Sequence, residues 1–87
     1  MQKNHITQVA YSGSNQNVLD HIKYAKGYKS NEWLTFVQAM KLGRKVAKGE
    51  HGVRLVRLVE RKNLKKNKVE KLIKGFTVFN LDQTVAN

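Results

Sequence analysis

The sequence predicts an α+β fold: a small single domain over residues 1–87, with two short helices packed on a small antiparallel sheet containing a long basic hairpin. Three observations carry that reading. Thr35 followed three residues later by Gln38 is a capping box, in which hydroxyl and amide satisfy backbone donors that a helix start leaves orphaned. "NVLDHIKYAKG" places Val18, Leu19, Ile22 and Ala25 on one helical face and ends at Gly27, suited to a left-handed stop. Two strand-forming runs, "VRLVRLVERK" and "KLIKGFTVFNL", flank a polar basic segment in the order of a hairpin.

Taken in order, residues 1–10 read as loose, or as a short strand where "ITQVAY" alternates. "YSGSNQN" collects turn formers; Ser14 or Asn15 is the expected cap of the first helix, and Asp20 is expected in its first turn, where the dipole favours negative charge. After the linker "YKSNEW", the second helix is expected over Phe36 to Leu42, with Phe36, Ala39 and Met40 on one side and Gly43 ending it. In "KGEHG" the glycines are expected to supply positive φ in a tight turn.

"VRLVRLVERK" holds a conflict. Arg54, Arg57, Glu60 and Arg61 recur at helical spacing, which favours a helix. Three valines, the turn just before and the lack of a capping residue favour a strand, expected to be long, twisted or bulged. "RKNLKKNK" reads as a solvated basic loop or hairpin tip, and Phe76 to Phe79 as a strand pairing with the previous one.

Seventeen Lys and Arg against six Asp and Glu give a net charge of +11. Such an imbalance costs stability through self-repulsion, and a polyanion relieves it, because each neutralised phosphate releases condensed counterions. Nucleic acid is therefore the first partner to consider; a solubilising surface or an anionic membrane patch are the bland alternatives. No apolar run is long enough to span a membrane and the N-terminus lacks an apolar signal-peptide core, so the reading is of a cytoplasmic protein with no membrane partner.

Catalytic chemistry is poorly supplied. There is no cysteine; His5, His21 and His51 form no H-E-x-x-H pair; and the six acids are spread along the chain. A chain of this length buries only about 60–65% of its unfolded surface, which leaves little room for a large cleft. No phosphate-loop signature is present. The expectation is no catalytic residue, no metal and no cofactor. What remains is a basic track with aromatic rings, the combination that holds single-stranded nucleic acid by phosphate contacts and base stacking. Duplex reading is less well served, because the second helix is too short and the first offers mainly Lys23 and Lys26.

Three motifs occur together: "YSGSN" at 11–15, "GYKSNEWLTFVQAMKLGRKVAKGEHG" at 27–52 and "GFTVFNLDQ" at 75–83. W-L-T-F-x-Q-A, K-G-E-x-G and F-x-V-F-N-x-x-Q in that order resemble the N-terminal domain of ArdC-type antirestriction proteins. In longer members that domain precedes a zinc-metallopeptidase-like region, and it recurs in plasmid primases. The resemblance runs from Tyr11 to Gln83. It implies an α+β single-stranded-DNA-binding domain of plasmids and phages that coats or protects entering DNA, and it supports a strand over Val53 to Glu60. It places Tyr11, Gly13 and Asn15 on the opening turn, Trp33, Thr35 and Gln38 on the capped helix, and Lys48, Gly49, Glu50 and Gly52 before the hairpin. Phe79, Asn80 and Gln83 fall on the closing strand, where Asn80 and Gln83 serve either the fold or the DNA. Zinc chemistry is not carried over, since H-E-x-x-H is absent.

The expected function is non-catalytic, largely sequence-independent binding of single-stranded DNA. Arg44, Lys45, Lys48, Arg54, Arg57, Lys62, Lys65 and Lys66 are assigned to phosphates, and Tyr28, Trp33 and Tyr11 to stacked bases. The basic hairpin after Gly43 is the expected DNA-facing part. The alternatives are RNA, or a host defence protein bound through an acidic surface.

Overall fold

The structure, a computed structural model, describes all 87 residues and is α+β as expected. Its elements run β1 (Lys3–Asn4), α1 (Gly13–Lys26), β2 (Glu32–Leu34), α2 (Phe36–Lys41), β3 (Arg44–Val46), β4 (Val53–Asn63), β5 (Lys68–Asn80), a 3-10 turn (Leu81–Gln83) and β6 (Thr84–Ala86). Four strands form one sheet in the order β1-β2-β5-β4, and β3 and β6 form a second. All pairs are antiparallel except β1 with β2, which run parallel.

The N-terminus is tied down rather than loose. Gln2 is buried: its Oε1 accepts the Trp33 indole N–H at 2.7 Å, while its Nε2 donates to Asp20 Oδ1 at 2.8 Å and Asn31 Oδ1 at 3.1 Å. A buried indole N–H needs an acceptor, and this amide supplies it. "ITQVAY" does not form a strand, because Asn4 Oδ1 accepts from the N–H groups of Ile6 and Thr7 at 2.9 and 3.0 Å and turns the chain there.

Helix α1 starts earlier than its turn formers suggest, with Ser12 as N-cap and no side-chain cap. Asn15 instead lies within the helix and donates to the Val56 carbonyl of β4 at 2.7 Å. Asp20 falls in the second turn, where its partner is Gln2 rather than the helix dipole. Gly27 ends the helix in the left-handed conformation, φ 73°. Leu19 is buried and Ile22 packs on the core, but Val18 and Ala25 are exposed.

The capping box of α2 forms, with Gln38 Oε1 accepting from Thr35 N at 3.0 Å and Thr35 Oγ1 accepting from Gln38 N at 3.2 Å. Ala39 turns inward, whereas Phe36 and Met40 are more than half exposed, because so short a helix presents a narrow inner face. A second capping box, Asn80 with Gln83, closes the 3-10 turn. Both side chains are buried; Asn80 Nδ2 donates to Ser30 O and Gln83 Nε2 to His51 O, so they hold the fold.

Strands β4 and β5 pair through eleven consecutive residues, from Val53↔Val78 to Asn63↔Lys68, without a bulge. Cross-strand pairing thus overrides the helical spacing of the arginines. Half of "RKNLKKNK" is strand, and Leu64–Asn67 forms the turn, with Asn63 Oδ1 accepting from Lys65 N and Lys66 N. The segment after Gly43 is not an arm of this hairpin: β3 pairs with β6, Arg44↔Ala86 to Val46↔Thr84. Gly49 takes positive φ, 85°, but Gly52 serves a different need. A Cβ on Gly52 would lie 2.3 Å from Thr77 Cγ2, so only glycine lets β4 begin flat against β5.

Leu19, Trp33, Leu55 and Val78 form the core at the root of the hairpin, and Tyr11, Ile22, Tyr28, Val53 and Phe76 pack against it. The tip half projects from this body. The radius of gyration is 15.1 Å, against about 12 Å for a compact chain of this length.

Gln2→Ala strands the Trp33 N–H and is expected to destabilise the fold by about 1–3 kcal/mol in urea unfolding. Gly52→Ala is expected to cost about 1–3 kcal/mol through overpacking against Thr77. An unchanged midpoint in either variant contradicts the contact described for it.

Candidate nucleic-acid interface

An antiparallel ladder puts directly paired residues on one face, so the register sorts the hairpin's side chains. One face carries Val53, Leu55, Arg57, Val59 and Arg61 of β4 with Val78, Phe76, Lys74, Leu72 and Glu70 of β5. Its root is the core; beyond the core, Arg57 faces Lys74 directly. The other face carries Arg54, Val56, Leu58 and Lys62 with Thr77, Gly75, Ile73 and Val69.

Residues 53–80 hold nine Lys and Arg against two Glu, a net +7. None of these cations is neutralised inside the molecule. The one ion pair is His5 Nδ1 with Glu32 Oε2, at 3.3 Å. Glu32 is held below its ordinary pKa first by the hydrogen bond from Gln8 and then by His5, opposed by burial. Like charges directly opposite in a ladder are destabilising. Arg57 and Lys74 are such a pair, and a bridging anion removes the repulsion.

Beside Arg57 the root of the hairpin opens into a groove of about 400 Å³ between β4–β5, the N-terminal turn and α2. The Phe76 ring lies in it, with the Arg57 guanidinium 6.0 Å from its centroid. Tyr11 and Gln38 enter side by side because one amide holds both: Asn4 Nδ2 donates to Tyr11 Oη at 3.3 Å and to Gln38 Oε1 at 3.0 Å. Burial raises the Tyr11 pKa, partly offset by the Asn4 hydrogen bond, so the phenol stays a neutral O–H group. The groove thus joins an aromatic face, a guanidinium and several polar groups.

The residues singled out from the sequence divide accordingly. Tyr11 and Arg57 meet in the groove. Arg54 lies on the opposite face over Gly75, and Lys62 is on that face nearer the tip. Lys65 and Lys66 sit in the tip turn, and Lys45 and Lys48 are exposed on and after β3. Arg44 is half-buried and its Nε and Nη2 donate to Thr84 Oγ1 and Thr84 O, both at 2.9 Å, clamping β3 to β6. Trp33 is fully buried, so no ring face is open to a base; its place is the core. Tyr28 is half-buried edge-on to Trp33, centroids 6.1 Å apart. Its pKa is raised by burial and then by Glu50 and Asp82, an acidic setting that opposes a phosphate backbone. Phe76, Lys74 and Gln38 belong to the groove region but were not assigned to binding from sequence. For Phe76 and Lys74 the signal is the cross-strand register, and for Gln38 the hydrogen bond from Asn4; a linear reading contains neither.

A family model of the N-terminal domain of the anti-restriction factor ArdC matches residues 1–79. Among solved structures, the metal-free crystal structure of the antirestriction ArdC protein from plasmid R388 is 37% identical over 99% of this chain and 32% of that one, with a TM-score of 0.81. The Mn(II)-bound structure of that protein is 36% identical over 98% and 35%, also with a TM-score of 0.81. This chain therefore spans about a third of the length of those chains. No curated protein matches. No three His, Cys, Asp or Glu side chains gather here into a group that would hold a metal ion.

A raised tyrosine pKa favours the fold below the ordinary value near 10.0, and that contribution is lost as pH rises through the folded value. In an alkaline absorbance titration, Tyr11→Phe is expected to remove a phenolate component that titrates above the ordinary range. Loss of a component at or below it contradicts the burial that shapes the groove.

Proposed function

The chain belongs to the family defined by the N-terminal domain of the anti-restriction factor ArdC, and from that premise we propose that it binds single-stranded DNA without catalysis and largely without regard to sequence. The observation that carries this reading is the repelling Arg57–Lys74 pair beside a groove holding Tyr11 and Phe76. A phosphate between the two cations relieves their repulsion, and an unpaired base then reaches the aromatic rings. A duplex keeps its bases stacked inside and satisfies only the first half of that arrangement. The remaining hairpin cations and Lys45 and Lys48 extend the electrostatic track. Protection of a mobile element's DNA, an antirestriction-like role, follows if strands are covered in this way.

One observation favours a second reading. On the face away from the groove, Val56, Leu58, Val69 and Ile73 are 52%, 62%, 62% and 75% exposed among Arg54, Lys62 and Lys71. An apolar stripe rimmed by cations suits an acidic protein surface, such as that of a host defence protein. That reading requires a stoichiometric protein complex that survives nuclease treatment.

Fluorescence anisotropy with single-stranded DNA, duplex DNA and RNA across a salt series tests the first reading. Single-stranded DNA is expected to bind tightest, with log K falling by about 0.7 per phosphate engaged for each unit of log salt. Arg57→Gln with Lys74→Gln is expected to lower affinity and flatten that slope by about 0.7–1.4. Equal weak binding of all three nucleic acids contradicts the proposal.

A further inference from the structure

The groove's hydrogen-bonding groups are unevenly matched. Asn4 Oδ1 already accepts from Ile6 N and Thr7 N. Gln38 Oε1 already accepts from Thr35 N and Asn4 Nδ2. A carbonyl oxygen has two lone pairs, so both acceptors are full. These two bonds also fix which end of the Gln38 amide is nitrogen, and its Nε2 donates to no group of the protein. The hydroxyls of Thr35 and Tyr11 each accept one bond, from Gln38 N and Asn4 Nδ2, and retain their protons. Arg57 adds a guanidinium without a carboxylate partner. The hydroxyl oxygens keep a second lone pair and Asn15 Oδ1 is free, its amide nitrogen engaged with Val56 O, so beside the Arg57 guanidinium the Gln38 amide nitrogen is the group of the groove that can only donate.

Resting on the single-stranded-DNA reading, we infer that this groove is a nucleobase pocket selective for keto bases, thymine or guanine, over amino bases. A keto base offers O4 or O6 as an acceptor where cytosine and adenine offer N4–H₂ or N6–H₂. The Gln38 Nε2–H meets a carbonyl but confronts an amino group donor to donor; the Tyr11 hydroxyl, held beside it by the same Asn4 amide, can donate to the one or accept from the other. Phe76 supplies the stacking face, and Arg57 the phosphate contact. The preference is local: the rest of the track reads charge alone, so one base in the bound stretch is selected.

Oligo-dT and oligo-dC of matched length test the effect: both are pyrimidines that differ at the carbonyl or amino group, at N3 and at the thymine methyl, and the Gln38 variant assigns the difference to the groove. Wild-type protein is expected to bind oligo-dT about two- to tenfold more tightly, the range of one net hydrogen bond. Gln38→Glu keeps the capping box, because Thr-x-x-Glu also caps, but replaces the amide donor with an acceptor that suits the cytosine amino group. The dT/dC ratio is expected to fall to one or below in that variant, even as its added negative charge weakens both oligomers. Tyr11→Phe, which keeps the ring, is expected to weaken both oligomers and leave the preference for dT in place.

Equal binding of dT and dC by wild-type protein overturns the inference while the single-stranded-DNA reading stands. A dT preference unchanged in Gln38→Glu also overturns it, since the selectivity then does not lie with the Gln38 amide. Binding of neither oligomer overturns the reading on which the inference rests.

Discussion

The hydrogen bond from the buried Trp33 indole to Gln2 Oε1 organises the molecule. Trp33 fills the centre of the core, and its N–H must be satisfied there. Meeting that need draws the first residues of the chain into the interior and aligns β1 with β2 in parallel register, Lys3 beside Glu32 and Asn4 beside Trp33. That register delivers Asn4 to the place where its amide holds Tyr11 and Gln38 together. The floor of the groove is thus one step removed from the core. A polar network of this kind stabilises only while every member is paired, and Gln2, Gln16, Asp20 and Asn31 complete the pairing around the indole.

The hairpin obeys a different constraint. Its root is fixed by Leu55 and Val78, but its outer half packs on nothing and carries unneutralised charge. Eleven ladder pairs run without a bulge in spite of the like charges of Arg57 and Lys74; Glu60 facing Lys71 and Glu70 facing Arg61 temper the charge further out. Salt or a polyanion screens what remains. The arrangement gives the molecule a charged arm rooted beside an aromatic groove; under the proposed single-stranded-DNA binding, a strand drawn along the arm meets the rings where the arm joins the body.

Local signals were the legible part of the fold. The Thr35–Gln38 capping box, the Gly27 stop and the strand character of the two long runs all depend on neighbours within a few residues. What the sequence hid depends on distant partners. Gln2 reads as an ordinary polar residue until Trp33 is known to be buried, and β3 finds β6 some forty residues later, which no periodicity announces. Asn80 and Gln83 do carry a capping-box spacing, yet a role in binding stayed open until their burial was seen. At the candidate site, Arg57 and Tyr11 were visible as a cation and an aromatic, whereas Lys74 and Phe76 gain their meaning from cross-strand register. Arg44 shows the converse, a cation that composition assigns to phosphate and that geometry assigns to Thr84.

Under the proposed function, a single strand is held at the root groove and not by the charge as a whole. Backbone amide chemical shifts of the ¹⁵N-labelled protein, followed as a short single-stranded oligonucleotide is added, test it most directly. The account requires the largest changes at Tyr11, Gln38, Arg57, Lys74 and Phe76, with smaller ones along the arm. Changes spread evenly over exposed lysines, or centred on Val56, Leu58 and Ile73 of the opposite face, would contradict it.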